Sequence, residues 1–239
     1  MGWAGDVSGP STVLRAGRGV NGPTAGRPSR SSVRPGRFPR VTTSLRTATP
    51  ADADRLAALA AITFPLACPP GSDPAAVAEH IRTQLSPERF VAWTASADHA
   101  LLVAESPGSP GSPDGAAEAG GADASDGAGD LVGYALLVRG VPDDADIVAV
   151  VGDEPTVELS KIYVHPSSQG TGVASDLMRA ALDAAPALVP DRAVWLGTNG
   201  ENARAQAFYR KHGFAFAGTR TYVVGGEAHD DVVMVRPLD

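Results

Sequence analysis

The stretch TVELSKIYVHPSSQGTGVA, residues 156–174, decides the fold. Its first half reads as a strand, Thr156 to Val164, with Val157, Leu159, Lys161 and Tyr163 on one face and Glu158, Ser160, Ile162 and Val164 on the other. Both faces carry apolar residues, which predicts a central strand covered on both sides. The chain then turns through His165 to Gly172 into a helix whose Val173, Leu177, Ala181 and Leu182 form an apolar stripe, with Pro186 as the expected terminator. Between strand and helix, Gln169, Gly170, Thr171, Gly172, Val173 and Ala174 place two glycines where backbone N–H groups approach a ligand and the helix dipole favours negative charge. That is an anion cradle, although a tight turn has the same residues. A Walker A loop is excluded because no Gly-Lys-Ser/Thr follows, and the six-residue glycine fingerprint of a dinucleotide fold is incomplete.

Outward from this core, Ala193 to Thr198 reads as another strand. Asn202 caps a helix in which Ala205, Phe208, Tyr209 and His212 fall at i, i+3, i+4 and i+7 before a stop at Gly213. Strands around Phe214 to Val224 and Asp231 to Arg236 close the chain. On the N-terminal side, Pro50 to Phe64 reads as a helix, and Asp73 with Pro74 opens a second one carrying Val77, Ile81 and Leu85. Phe90 to Ala95, Ala100 to Glu105 and Leu131 to Arg139 read as strands. The order α-α-β-β-β-β-α-β-α-β-β predicts one mixed α/β (α+β) domain over residues 44–239.

Two segments fall outside that pattern. Residues 1–43 lack apolar periodicity and are rich in Arg, Gly and Pro, which predicts a disordered extension. Residues 106–130 contain only Ala, Gly, Ser, Pro, Asp and Glu, with five acids and no base, and are expected as an exposed, disordered acidic loop. The net charge of −7 combines +6 on residues 1–40 with −13 on the rest. An acidic body disfavours nucleic acid and attracts cationic ligands. The lone Cys68 and the absence of a Cys/His cluster with zinc spacing predict no disulfide scaffold and no metal. No apolar run reaches the ~20 residues of a membrane span, so no membrane partner and a cytoplasmic location are expected.

Three segments together resemble the GCN5-related N-acetyltransferase (GNAT) superfamily: the strand from Glu158 to Pro166, the Gln-x-x-Gly-x-Ala loop at 169–174, and Asn202 to Phe214. Trp195, Leu196 and Gly197 before Asn199 and Asn202, and the tail residues Gly218, Tyr222, Gly225 and Asp231, look most similar to bacterial spermidine/spermine-type members. The resemblance implies a central, mostly antiparallel, splayed sheet flanked by helices. It also implies acetyl-CoA as cosubstrate, with its pyrophosphate on the amides of Gly170 to Ala174. The pantetheine arm is expected between the fourth and fifth strands, along the backbone of Ile162, Tyr163 and Val164, with Gln169, Asn202 and Tyr209 as further contacts.

Transfer to an amine needs a base near the acceptor and a proton for the departing thiolate. Glu158 is the candidate base and Tyr209 the candidate acid, each with a structural alternative: a salt-bridged strand glutamate and a core aromatic. The expected acceptor is a small amine, a polyamine among the options, with a peptide, an amino-sugar or a non-catalytic acyl-CoA sensor as alternatives, and a homodimer is compatible with the reading. His165 and His212 read as structural, and Cys68 has no adjacent base in sequence.

Overall fold

A computed structural model describes residues 43–68, 71–107, 129–224 and 227–237. The expected extension at 1–43 and the acidic loop at 106–130 lie, apart from their ends, outside the described residues. The elements are β1 (Ser44–Thr47), α1 (Ala53–Thr63), α2 (Pro74–Gln84), α3 (Pro87–Ala95), β2 (His99–Glu105), β3 (Leu131–Gly140) and α4 (Ala145–Val151). They continue with β4 (Thr156–Val164), α5 (Val173–Leu188), β5 (Val194–Asn199), α6 (Ala203–Lys211), β6 (Ala215–Val224) and β7 (Glu227–Arg236). A seven-stranded sheet runs β1-β2-β3-β4-β5-β7-β6, and only β4 and β5 are parallel neighbours. The expected mixed, mostly antiparallel sheet is therefore observed, with β4 central and buried at every residue. Helix α5 lies on one face, where Leu177, Met178 and Ala181 pack on Val157, Leu159, Ile162 and Leu196. Helices α1 and α3 lie on the other, where Leu56, Leu59, Phe90 and Trp93 pack on Leu101, Val103 and Tyr134. Among the described residues no helix is long and apolar enough to cross a membrane.

The structure corrects three readings. Phe90 to Ala95 is helical, part of α3, because Ser86 accepts a hydrogen bond from the Arg89 amide and Pro87 occupies the first turn. Phe90 and Trp93 then fall at i and i+3 on one buried face, and helical packing overrides their β propensity. Pro186 does not end α5, which runs to Leu188. Only the last turn meets the proline, and the Val189 amide still reaches the Ala185 carbonyl at 3.2 Å. In β4, Leu159 and Lys161 pair with the consecutive residues Leu137 and Leu136, so Ser160 is an extra, bulged residue. The bulge inverts the alternation: Val157, Leu159, Ile162 and Val164 share the α5 face, while Tyr163 belongs to the opposite cluster and Lys161 sends its ammonium over the Trp93 ring, 5.2 Å from the centroid. Strand β1 and helix α4, whose Asp144 cap accepts from the Asp146 and Ile147 amides, were not foreseen.

One charged clasp fastens β1 to the start of α1. Arg46 donates to both carboxylate oxygens of buried Asp52 at 2.7 Å and to Glu105 at 2.7 Å. The guanidinium bonds hold the Asp52 carboxyl well below the usual carboxylate range, against the opposing effect of burial. A depressed folded-state pKa gives stability that is complete above the unfolded value of about 4 and lost as pH falls through the folded value. Asp52→Asn is expected to cost about 1.5–3 kcal/mol in urea unfolding at pH 7, with the difference from the parent shrinking below pH about 4.

Candidate active site

The site begins with two strands that part. β4 and β5 pair only at Val157 with Val194 and Glu158 with Trp195. β4 then stays with β3 as far as Val164, and β5 stays with β7 as far as Asn199, so a gap opens between them. The backbone of Ile162, Tyr163 and Val164 borders that gap with β3 on its other side. At the far end of β4, the chain turns through a 3-10 segment, Pro166–Ser168, to the N-terminus of α5. Gly170 and Gly172 adopt φ of +81° and +106°, a region that suits glycine, and a Cβ at either would meet nothing within 4 Å. Gly172 is the N-cap and offers no side chain to the first-turn amides of Val173 and Ala174, which are left for an external acceptor. Gln169 is extended, and the Thr171 hydroxyl donates to the Ser168 carbonyl at 2.6 Å.

Glu158 stands at the last β4–β5 pair, and Tyr209 lies in the core cluster on the other side of the sheet. Tyr209, on α6, is fully buried between Phe208 and Phe214, with ring centroids 5.6 and 6.0 Å away, and its hydroxyl has no hydrogen-bond partner among the described residues. Burial raises its pKa well above the usual phenol value. Thr198, on the same side of β5 as Val194 and Leu196, is also fully buried with a hydroxyl that has no hydrogen-bond partner among the described residues, as is Tyr134 in the opposite cluster. Glu158 faces away from Tyr209, into a solvent-open cleft lined by Val138, Val141, Ile147, Trp195, Arg220 and the acids Asp143 and Asp144. Its Oε1 is buried without a hydrogen-bond partner among the described residues. Burial raises the Glu158 pKa, while the charges of Arg220 and Lys161 pull it down.

Comparison with protein-family models matches residues 79–214 to the Acetyltransferase (GNAT) family. Relatives described as uncharacterized N-acetyltransferases in Mycobacterium tuberculosis and Mycobacterium bovis are each 41% identical over 187 residues, covering 78% of this chain and 98% of the relative. The chain belongs to the GNAT family. It is an N-acetyltransferase, an acyltransferase. Solved GNAT structures share its fold at low identity. Arabidopsis thaliana NAA60 in complex with acetyl-CoA has a TM-score of 0.59 at 16% identity, covering 82% of this chain and 99% of that one. The PaiA N-acetyltransferase of Thermoplasma acidophilum, in complex with coenzyme A, has a TM-score of 0.56 at 16% identity, with the same coverage of both chains.

Of the residues singled out in the sequence, Glu158 stands at the last β4–β5 pair, 162–164 border the gap, and 169–174 lead from the end of β4 into α5, while Tyr209 lies in the core cluster on the α5 side of the sheet. Asn202 is the α6 cap, with its Oδ1 accepting from the Ala205 amide at 3.0 Å. His165 hydrogen-bonds Ser167 and His212 hydrogen-bonds Ser175, as structural residues do. The Cys68 Sγ is spent on the Phe64 carbonyl, and burial raises its pKa, which disfavours the nucleophilic thiolate. Thr198 and Arg220 were missed as site residues, since nothing local distinguishes them from ordinary strand positions.

The unpartnered Tyr209 hydroxyl is a cost to the ligand-free fold, because a buried polar group without a partner forfeits its hydration. Tyr209→Phe keeps the ring packing and is expected to leave the Tm of the ligand-free protein unchanged or raised, which differential scanning calorimetry would check; a fall of several degrees would show that the hydroxyl bonds within the protein.

Proposed function

We propose that the chain transfers the acetyl group of acetyl-CoA directly to a small cationic primary amine. The observation that carries this reading is the parting of β4 from β5, with Tyr209 on one side of the sheet and Glu158 on the other. The open surface over Gly170 and Gly172, the uncapped α5 amides and the orphaned hydroxyls of Tyr209 and Thr198 fit a phosphorylated, thioester-bearing ligand. Gly170 to Ala174 would hold its pyrophosphate, the backbone edge of Ile162 to Val164 its pantetheine, and Gln169 and Asn202 would add polar contacts. Acetyl-CoA supplies an activated acetyl group, whose transfer forms an amide on the acceptor nitrogen and releases the thiol.

Glu158 takes the proton that the ammonium must lose before its nitrogen is nucleophilic, directly or through one water. Tyr209 gives its proton to the departing sulfur; burial, which disfavours a lasting phenolate, makes it a donor that must be reprotonated after each turnover. With main-chain groups holding the pantetheine, binding tolerates side-chain change better than catalysis does. Tyr209→Phe is accordingly expected to lower kcat by about 10²–10⁴-fold with little change in KM, in steady-state thiol-release assays.

The acceptor reading rests on charge and shape. The cleft pairs apolar walls, Val138, Val141, Ile147 and Trp195, with Asp143, Asp144 and Glu158, a lining suited to an alkyl stem bearing ammonium groups. The −13 balance outside residues 1–40 adds a negative field that raises the local concentration of such amines. A polyamine is the acceptor most consistent with both. In a turnover screen of polyamines, amino acids, aminoglycosides and peptides, spermidine is expected to be acetylated, with kcat/KM falling as salt rises and falling less for a neutral-side-chain amine. Turnover of a peptide without turnover of spermidine would overturn the polyamine reading and leave the acetyltransferase assignment standing.

A further inference from the structure

The cleft holds one cation that the chemistry above does not use. Arg220, on β6, is 3% exposed, and its Nη2 lies 3.4 Å from Asp231 Oδ2, directly opposite it on β7. Its side chain crosses β7 and arrives over β5. There the guanidinium carbon stands 5.9 Å from the centre of the Trp195 ring, and a Cβ at position 197 would lie 2.6 Å from Nη2. The guanidinium thus lies against Gly197, in the space that a side chain there would fill. Trp195 is the register partner of Glu158, so Arg220 and Glu158 adjoin the same indole and line the same cleft.

We propose that Arg220 is a positioning residue for the acetyl transfer, lying against Gly197 to supply the positive field that keeps buried Glu158 a carboxylate able to accept the acceptor's proton. This rests on the reading of Glu158 as base. The physical need is plain: a fully buried carboxylate without a nearby cation takes up a proton and ceases to be a base. The charged groups that face Glu158 are few. Lys161, on its own strand, lies over Trp93 and 3.4 Å from the Ser160 hydroxyl. β3 presents uncharged Val138 opposite it, the approach to α4 presents Asp143 and Asp144, and the hairpin presents Arg220 with Asp231. Asp143, Asp144 and Asp231 are anions and add nothing that favours a charged Glu158, so Arg220 and Lys161 are the groups that work against its burial. Asp231 has a double part, anchoring Arg220 while moderating its field.

The test combines the pH dependence of kcat/KM with a direct titration of the Glu158 carboxyl by carbon-13 NMR in the full chain. Arg220→Gln is expected to move both the acid limb and the carboxyl titration upward by about one pH unit or more, the size of an adjacent opposite charge. Arg220→Lys is expected to restore most of the parent profile, and Asp231→Asn to move it downward. Gly197→Ala leaves every charge in place but pushes the guanidinium aside, and should reproduce part of the Arg220→Gln shift; it covers the case in which breaking the buried pair unfolds the hairpin. An unmoved carboxyl titration in Arg220→Gln and Gly197→Ala would overturn the proposal. A parent-like kcat in Glu158→Gln would instead overturn the base reading, and the NMR titration still reports whether Arg220 controls Glu158.

Discussion

The two-pair contact between β4 and β5 is the constraint on which the rest of the structure depends. Parallel neighbours need a long crossover, here α5, and a right-handed crossover returns its helix onto one face of the sheet. The N-terminus of α5 therefore stands at the end of β4 where the strands have already diverged, with its dipole toward the gap. β5 is drawn away by its continuous antiparallel register with β7, from Val194 with Arg236 to Asn199 with Asp231, while β3 keeps its hold on β4 through the bulge at Ser160. Backbone left without a neighbour in a buried sheet is costly, and a ligand that pairs as an extra strand satisfies it.

The same gap organises the polar interior. Glu158, Ser160, Lys161, Thr198, Arg220 and Asp231 are all buried in or beside the central strands, where an apolar core would pack with less electrostatic strain. They divide by face. The α5 side holds neutral hydroxyls, Tyr209 and Thr198, in a shell of Val157, Leu159 and Leu196. The opposite side holds the ionised groups, Glu158 and Arg220 beside Trp195 and Lys161 over Trp93. Two groups with such different surroundings, a phenol in an apolar shell and a carboxyl beside cations, are held at different proton affinities by their environments.

Much of this was legible in the linear chain. The strand at 156–164, the glycine turn into α5, the Asn202 cap and the Gly213 stop, at φ of +87°, are local signals that the structure keeps. What misled was also local. Phe90 to Ala95 is rich in β-favouring side chains, and the Ser86 cap that makes it a helix lies just outside the run. The two faces of β4 were misassigned beyond Ser160 because a bulge is a property of the pairing with β3, and period-2 counting along one strand has no access to it.

The sequence by itself determined the chemistry that could be present: a glycine-rich turn before an amphipathic helix, a glutamate on a central strand, a tyrosine one helical face from its cap, and an acidic body. Each of these is set by residue type and by spacings of a few positions, over which backbone geometry is nearly fixed. Only the tertiary structure decided that Glu158 and Tyr209 stand on opposite sides of one sheet, and that Arg220 and Asp231 meet as a buried pair at the cleft that Glu158 lines. These relations join residues from separate elements through strand register, and register follows from packing the whole sheet, since no single segment buries its apolar face alone.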